Sequence, residues 1–145
     1  MVDFYGTEEH VQLFMKRPEM NACTDGLLGG KPHPRVYGAF PRILGKYVRE
    51  DKALTLEEAI YKMTKKPATT FNMTDRGEIR EGAYADLCIF NPETVIDKGT
   101  FTDPIQYPEG IVHVMVNGEL AVKDGKHTGT RNGVVLKKKG KEVVK

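Results

Sequence analysis

The sequence has little that would mark a secreted, membrane-bound or polyanion-binding protein. Its 145 residues include only two cysteines, Cys23 and Cys88. A disulfide framework is therefore excluded, and both thiols read as buried side chains in a reducing compartment. No apolar run approaches the ~20 residues needed to span a bilayer. The opening MVDFYGTEEH lacks the basic-then-apolar order of an export signal. A cytoplasmic protein with no membrane contact is the expectation. Charge excess is also missing, at a net +2. Residues 137–145 carry five Lys and one Glu, which leaves the rest of the chain at −2. Nucleic acid is thus a poor partner for the body of the protein. G-x-G-x-x-G, Walker, G-x-S-x-G, C-x-x-C, H-x-H and H-E-x-x-H patterns are all absent. His10, His113 and His127 fall on different elements, so the chain holds no self-contained zinc motif.

What is present divides into two halves. The first is helical with one short strand. Thr7-Glu8-Glu9 suits a helix start, with Val11, Phe14 and Met15 on one face and Pro18 as the stop. Met20 to Thr24 reads as a short apolar strand ending at the Asp25-Gly26 turn signal. Residues 26–35, with three Gly and two Pro, read as a loop. Helical spacing resumes from Phe40 to Glu50, with Pro41 expected in the first turn. Thr55-Leu56-Glu57-Glu58 is a capping box opening a helix with Leu56, Ala59, Ile60 and Met63 inward. Pro67 marks the next break, followed by a helical turn to Phe71.

The second half is β-like. Asp86–Phe90, Ile111–Val116, Leu120–Val122 and Val134–Leu136 are the expected strands. Asn117-Gly118 and Asp124-Gly125 supply the turns. Residues 137–145 read as a solvated basic tail without fixed structure.

The residue types able to do chemistry gather between Cys23 and Arg35. A strand ending in Asp25 and passing into a Gly-rich loop would put a carboxylate at the C-terminal edge of a sheet, where α/β folds collect ligands. There Asp25 could ligate a metal or act as a general base. An ordinary Asp-Gly turn is the plain alternative. Lys31-Pro32-His33-Pro34-Arg35 is stiffened by its prolines, which suits presentation of a guanidinium to a carboxylate in two-pronged geometry. A rigid surface loop with a solvated Arg is the alternative there.

Several runs together resemble a known family. They are Cys23-Thr24-Asp25-Gly26, Pro32-His33-Pro34-Arg35, Gly38-Ala39-Phe40-Pro41-Arg42, Leu56-Glu57-Glu58-Ala59 and Asp75-Arg76-Gly77. Ala85-Asp86-Leu87, Asn91-Pro92, Gly110-Ile111 and Val116-Asn117-Gly118 follow in the same order. The chain resembles the C-terminal portion of the N-acyl-D-amino-acid deacylases (D-aminoacylases) of the amidohydrolase superfamily. The resemblance implies a zinc-dependent, TIM-like barrel with a small β-sandwich. Residues 1–66 would be the terminal strand and helices of the barrel, 67–136 a sandwich segment and 137–145 the tail. It implies that Asp25 moves the proton in amide hydrolysis and that Arg35, with His33, binds the substrate carboxylate. The zinc of the full-length parent would rest on earlier barrel strands, with Asp25 the one donor this chain could offer. The chain alone is expected to bind no metal and to be inactive without the rest of the barrel.

Two other classes are compatible with parts of the pattern. One is a non-catalytic β-module that self-associates through uncovered apolar faces. The other is a piece of a dihydroorotase- or hydantoinase-like amidohydrolase, against which Pro32-His33-Pro34-Arg35 argues.

Overall fold

The structure, a computed structural model, describes residues 6–137. Helix α1 (Glu8–Lys16) begins as expected at Thr7, whose hydroxyl accepts the His10 N–H at 3.4 Å. Of its apolar face only Met15 is buried, while Val11 and Phe14 stay largely exposed. Helix α2 (Arg35–Arg42) runs without a break into a π-helical segment, Ile43–Glu50. Helix α3 (Leu56–Met63) carries the full capping box, with Thr55 and Glu58 each bonding the other's backbone N–H. Helix α4 (Lys65–Thr70) follows after a break at Thr64.

Strands β1 (Leu87–Phe90), β2 (Ile111–Val116), β3 (Glu119–Lys123) and β4 (Lys126–His127) form one antiparallel sheet in sequence order. The β2–β3 hairpin turns at Asn117-Gly118, both at positive φ, the signature of its tight turn. The core lies mainly among the helices: Met15, Ile43, Leu44, Tyr47, Ala53, Leu54 and Ala59. Val95 enters it from the segment after β1, and Phe90 and Ile111 pack on it from the sheet. Lys62, though charged, is buried, and its ammonium donates to the Arg17 carbonyl at the end of α1.

Several expectations are corrected. Met20–Thr24 joins no sheet, since a strand needs a partner and its backbone ties are Met20 N–H to the Arg17 carbonyl and Ala22 N–H to the Lys62 carbonyl. The helix that was to begin at Phe40 begins at Arg35, so Pro41 lies inside α2, not in its first turn. Proline there removes an N–H and crowds the preceding turn. The chain widens into the π-helical segment directly after it, closed by Asp51 N–H on the Lys46 carbonyl. Val134–Leu136 is not a strand and its side chains are exposed. Cys23 and Cys88 are exposed, not buried. Cys23 lies on the unpaired run, and Cys88 on the edge strand β1, where apolar surroundings still raise its thiol pKa through desolvation. The second half is a single sheet of four strands among the described residues. The basic tail beyond Lys137 lies outside the described residues. No helix among them is long and apolar enough to cross a membrane.

Candidate active site

Asp25 and Arg35 meet. The Arg35 Nη2 lies 2.8 Å from Asp25 Oδ2. The loop between them is built to close. Thr24 Oγ1 accepts the Gly26 N–H at 3.3 Å. Asp25 adopts a left-handed backbone (φ 45°), which Asp tolerates better than most residues. Gly26 packs against Val36 at the start of α2, where a Cβ would stand 3.2 Å from Val36 Cα. Both partners are partly solvated, at 40% exposure for Arg35 and 76% for Asp25. Such a pair adds at most about 1 kcal/mol to stability, so its interest is chemical. The Arg35 Nε is shut away from solvent with no hydrogen-bond partner among the described residues. A guanidinium can hold a carboxylate through two N–H groups at once, and here Asp25 occupies Nη2.

His33 stands at the head of this helix. Its Nδ1 accepts the Arg35 N–H at 3.0 Å, and its carbonyl accepts the Val36 N–H at 3.1 Å. The imidazole therefore does a capping job that no side chain does from Pro34. Desolvation first, then the neighbouring Arg35 cation, hold His33 below its ordinary pKa of 6.5. A proton on Nδ1 would remove the acceptor. In the window below 6.5 the unfolded chain binds more protons than the folded one. The contribution of this cap is therefore complete above pH 6.5 and is lost as pH falls through the lowered folded value. The expected result is an Arg35 amide NMR signal that moves toward a disordered position as pH drops below 6.5, with no such movement in His33→Asn.

Among the described residues no group of three or more His, Cys, Asp or Glu side chains is placed to hold a metal. Asp25 offers one carboxylate, already engaged by Arg35.

Residues 24–122 match the model of the amidohydrolase family. The chain belongs to that family. The N-acyl-D-glutamate deacylase of Alcaligenes xylosoxydans xylosoxydans is 49% identical over 96 residues, covering 66% of this chain and 20% of the relative. The N-acyl-D-aspartate deacylase of the same organism is 42% identical over 135 residues, covering 92% and 27%. A solved structure of the N-acyl-D-glutamate deacylase of Bordetella bronchiseptica, complexed with zinc and a phosphonate inhibitor, superposes with a TM-score of 0.78 at 39% identity. That superposition covers 83% of this chain and 27% of the solved one. A dihydroorotase of Lactobacillus acidophilus matches at 33% identity, covering 76% and 27%. The amidohydrolase chain described here thus spans about a quarter of the length of these relatives.

The sequence reading placed Asp25, His33 and Arg35 together, and the structure brings all three to the head of α2. It missed the segment of residues 97–107, which lies along the same helix. Its one sequence signal is a cluster of aromatics and proline, Phe101, Pro104 and Tyr107, in a stretch with no helical or strand period.

Proposed function

We propose that this chain is the portion of an N-acyl-D-amino-acid deacylase that supplies the proton-transferring carboxylate and the substrate clamp. The observation that carries the reading is the direct Asp25–Arg35 contact beside the unpartnered Arg35 Nε. In the reaction a water oxygen attacks the acyl carbon while Asp25 takes one of its protons. The C–N bond then breaks, and Asp25 returns that proton to the departing nitrogen, leaving a carboxylate and a D-amino acid. Arg35 grips the α-carboxylate of the substrate, which takes the place that Asp25 holds on the guanidinium. His33, whose Nδ1 is taken by the Arg35 N–H, has Nε2 left to offer the substrate.

Residues 1–66 act as the end of the hydrolase barrel and 67–136 as a segment of the accompanying β-sandwich. The remainder of the barrel is the partner that completes the site. An apolar groove of about 550 Å³, lined by Phe40, Leu44, Ile60, Met63, Leu87 and Ile111, lies where helices meet sheet. It and the free edge of β1 are the surfaces that such a remainder, or a second copy, would cover. Zinc belongs to the whole enzyme, with its ligands supplied outside the described residues.

Arg35→Lys in the full-length polypeptide is expected to raise KM for N-acyl-D-amino acids about 10–100-fold, the loss of one charged two-pronged contact. An unchanged KM would remove the clamp from the mechanism. The dihydroorotase match favours one competing reading, a cyclic amide as substrate. Turnover of dihydroorotate in place of N-acyl-D-amino acids would establish it.

A further inference from the structure

We propose that Phe101 is a positioning residue for Arg35, acting through the His33 ring. The inference rests on the reading of Arg35 as the substrate clamp, and it concerns what holds that clamp in place.

Arg35 is the first residue of α2, and its own N–H is satisfied by a side chain, the His33 Nδ1. That bond exists only while the imidazole is turned with Nδ1 toward the helix. Pro32 and Pro34 fix the backbone on either side of His33 but leave the ring free to rotate. Phe101 meets it edge to face, with centroids 5.1 Å apart and planes at 87°. This is a preferred aromatic geometry and a directional one.

Phe101 is itself held. Residues 97–107 lie along α2 at four further points. A Cβ on Gly99 would come within 3.4 Å of the Pro34 Cβ. Tyr107 meets Tyr37 edge to face at 5.8 Å. A Cβ on Gly38 would stand 2.7 Å from the Asp97 Cβ. Asp97, in turn, receives the Arg42 guanidinium at 3.4 Å. The segment also crosses over itself, through Asp103 N–H to Thr100 Oγ1 and Thr100 N–H to the Asp103 carbonyl. It is a strap fastened along the helix, with Phe101 on the His33 ring just before the helix begins.

Phe101 is 54% exposed, so core burial does not explain an aromatic there. The same exposure makes it safe to truncate, because little packing is lost with it. The chain of contacts runs from Phe101 to the His33 ring, from Nδ1 to the Arg35 N–H, and from Arg35 to Asp25.

The test is NMR on the 145-residue chain and its Phe101→Ala, His33→Ala and His33→Asn variants. Hydrogen exchange is read at the Arg35 amide and at core amides such as Ala59, and the His33 ring nitrogens report which one accepts. In Phe101→Ala the Arg35 amide is expected to lose protection about threefold to tenfold, as follows from the strength of one aromatic pair. The His33 ring signals should move toward averaged tautomers while Ala59 is unchanged. His33→Ala should match this loss, and His33→Asn should restore protection, since an Asn side-chain oxygen can accept an N–H two residues on.

Wild-type exchange and ring signals in Phe101→Ala would overturn the proposal. So would failure of His33→Asn to protect Arg35, or equal losses at Ala59 and Arg35. Titrating the wild-type chain with N-acetyl-D-alanine while watching the Arg35 Nε–H tests the clamp reading separately. Its outcome does not alter the exchange comparison.

Discussion

Asp25→Asn, placed in the full-length polypeptide, is expected to lower kcat on the order of 10³-fold, the ordinary worth of a positioned proton carrier. The substitution is a clean one for this site. Asn tolerates the left-handed backbone that Asp25 adopts, so the turn into Gly26 should persist. The side-chain amide can still accept a hydrogen bond from Arg35, so the loop remains closed. What it cannot do is take a proton from water and give it to a leaving nitrogen. Turnover within a few fold of the parent would reduce Asp25 to a turn residue and leave the reaction without its proton carrier. A loss in kcat with little change in KM is the pattern that separates proton transfer from binding. Arg35→Lys should give the opposite split.

Gly110→Ala is expected to destabilise the fold by about 3 kcal/mol or more, the joint effect of backbone strain and overpacking. Gly110 sits at φ 79°, and a Cβ there would stand 2.4 Å from the Val95 nitrogen and 2.5 Å from its Cα. Backbone atoms cannot rotate out of the way as a side-chain tip can. Val95 is 1% exposed and is the residue by which the post-β1 segment enters the core. Any displacement there reaches the tie between the helices and the sheet, including the Gly110 carbonyl that accepts the Asn91 N–H. Gly82→Ala is the matched comparison, with a similar φ of 78° and nothing within 4 Å of the added methyl. It should cost only the left-handed term, about 1–2 kcal/mol. Urea denaturation of the two variants reads the difference as a change in midpoint at constant slope. Equal midpoints would show that the Val95 backbone yields to the added methyl without cost.

The elements that the sequence foretold are those whose cause is local. Thr55 and Glu58 specify the start of α3 by bonding each other's N–H groups, and Asn117-Gly118 specifies a hairpin through its own backbone preferences. The errors have a different source. Met20–Thr24 has the composition of a strand, but pairing is a property of neighbours, and the described residues give it none. Val134–Leu136 failed as a strand in the same way. The burial of Cys23 and Cys88 was inferred from apolar context, which cannot tell an edge strand from a central one. Pro41 looked like a helix start because proline favours that place. At the true start the Arg35 N–H is met by the His33 ring, and histidine is not among the usual caps of Ser, Thr, Asp and Asn. Asp25 and Arg35 were singled out by their places beside a Gly-rich loop and between prolines, and by resemblance to a family. Their 2.8 Å contact depends on how the ten-residue loop closes, and the strap along α2 on pairings such as His33 with Phe101, far apart in the chain, which leave no local mark.

Lys62 has a bearing on the order in which this chain assembles. Its ammonium closes the Arg17 carbonyl at 2.5 Å, and its own carbonyl receives the Ala22 N–H at 3.0 Å. The end of α1 and the run leading to Asp25 are thus both moored to α3. During synthesis at roughly 5–20 residues per second, the 45 residues from Arg17 to Lys62 take about 2–9 s to follow. Until then the end of α1 lacks the Lys62 contact, and the run leading to Asp25 lacks its tie to α3. The run that ends at Asp25 is therefore held by a helix that is made after it.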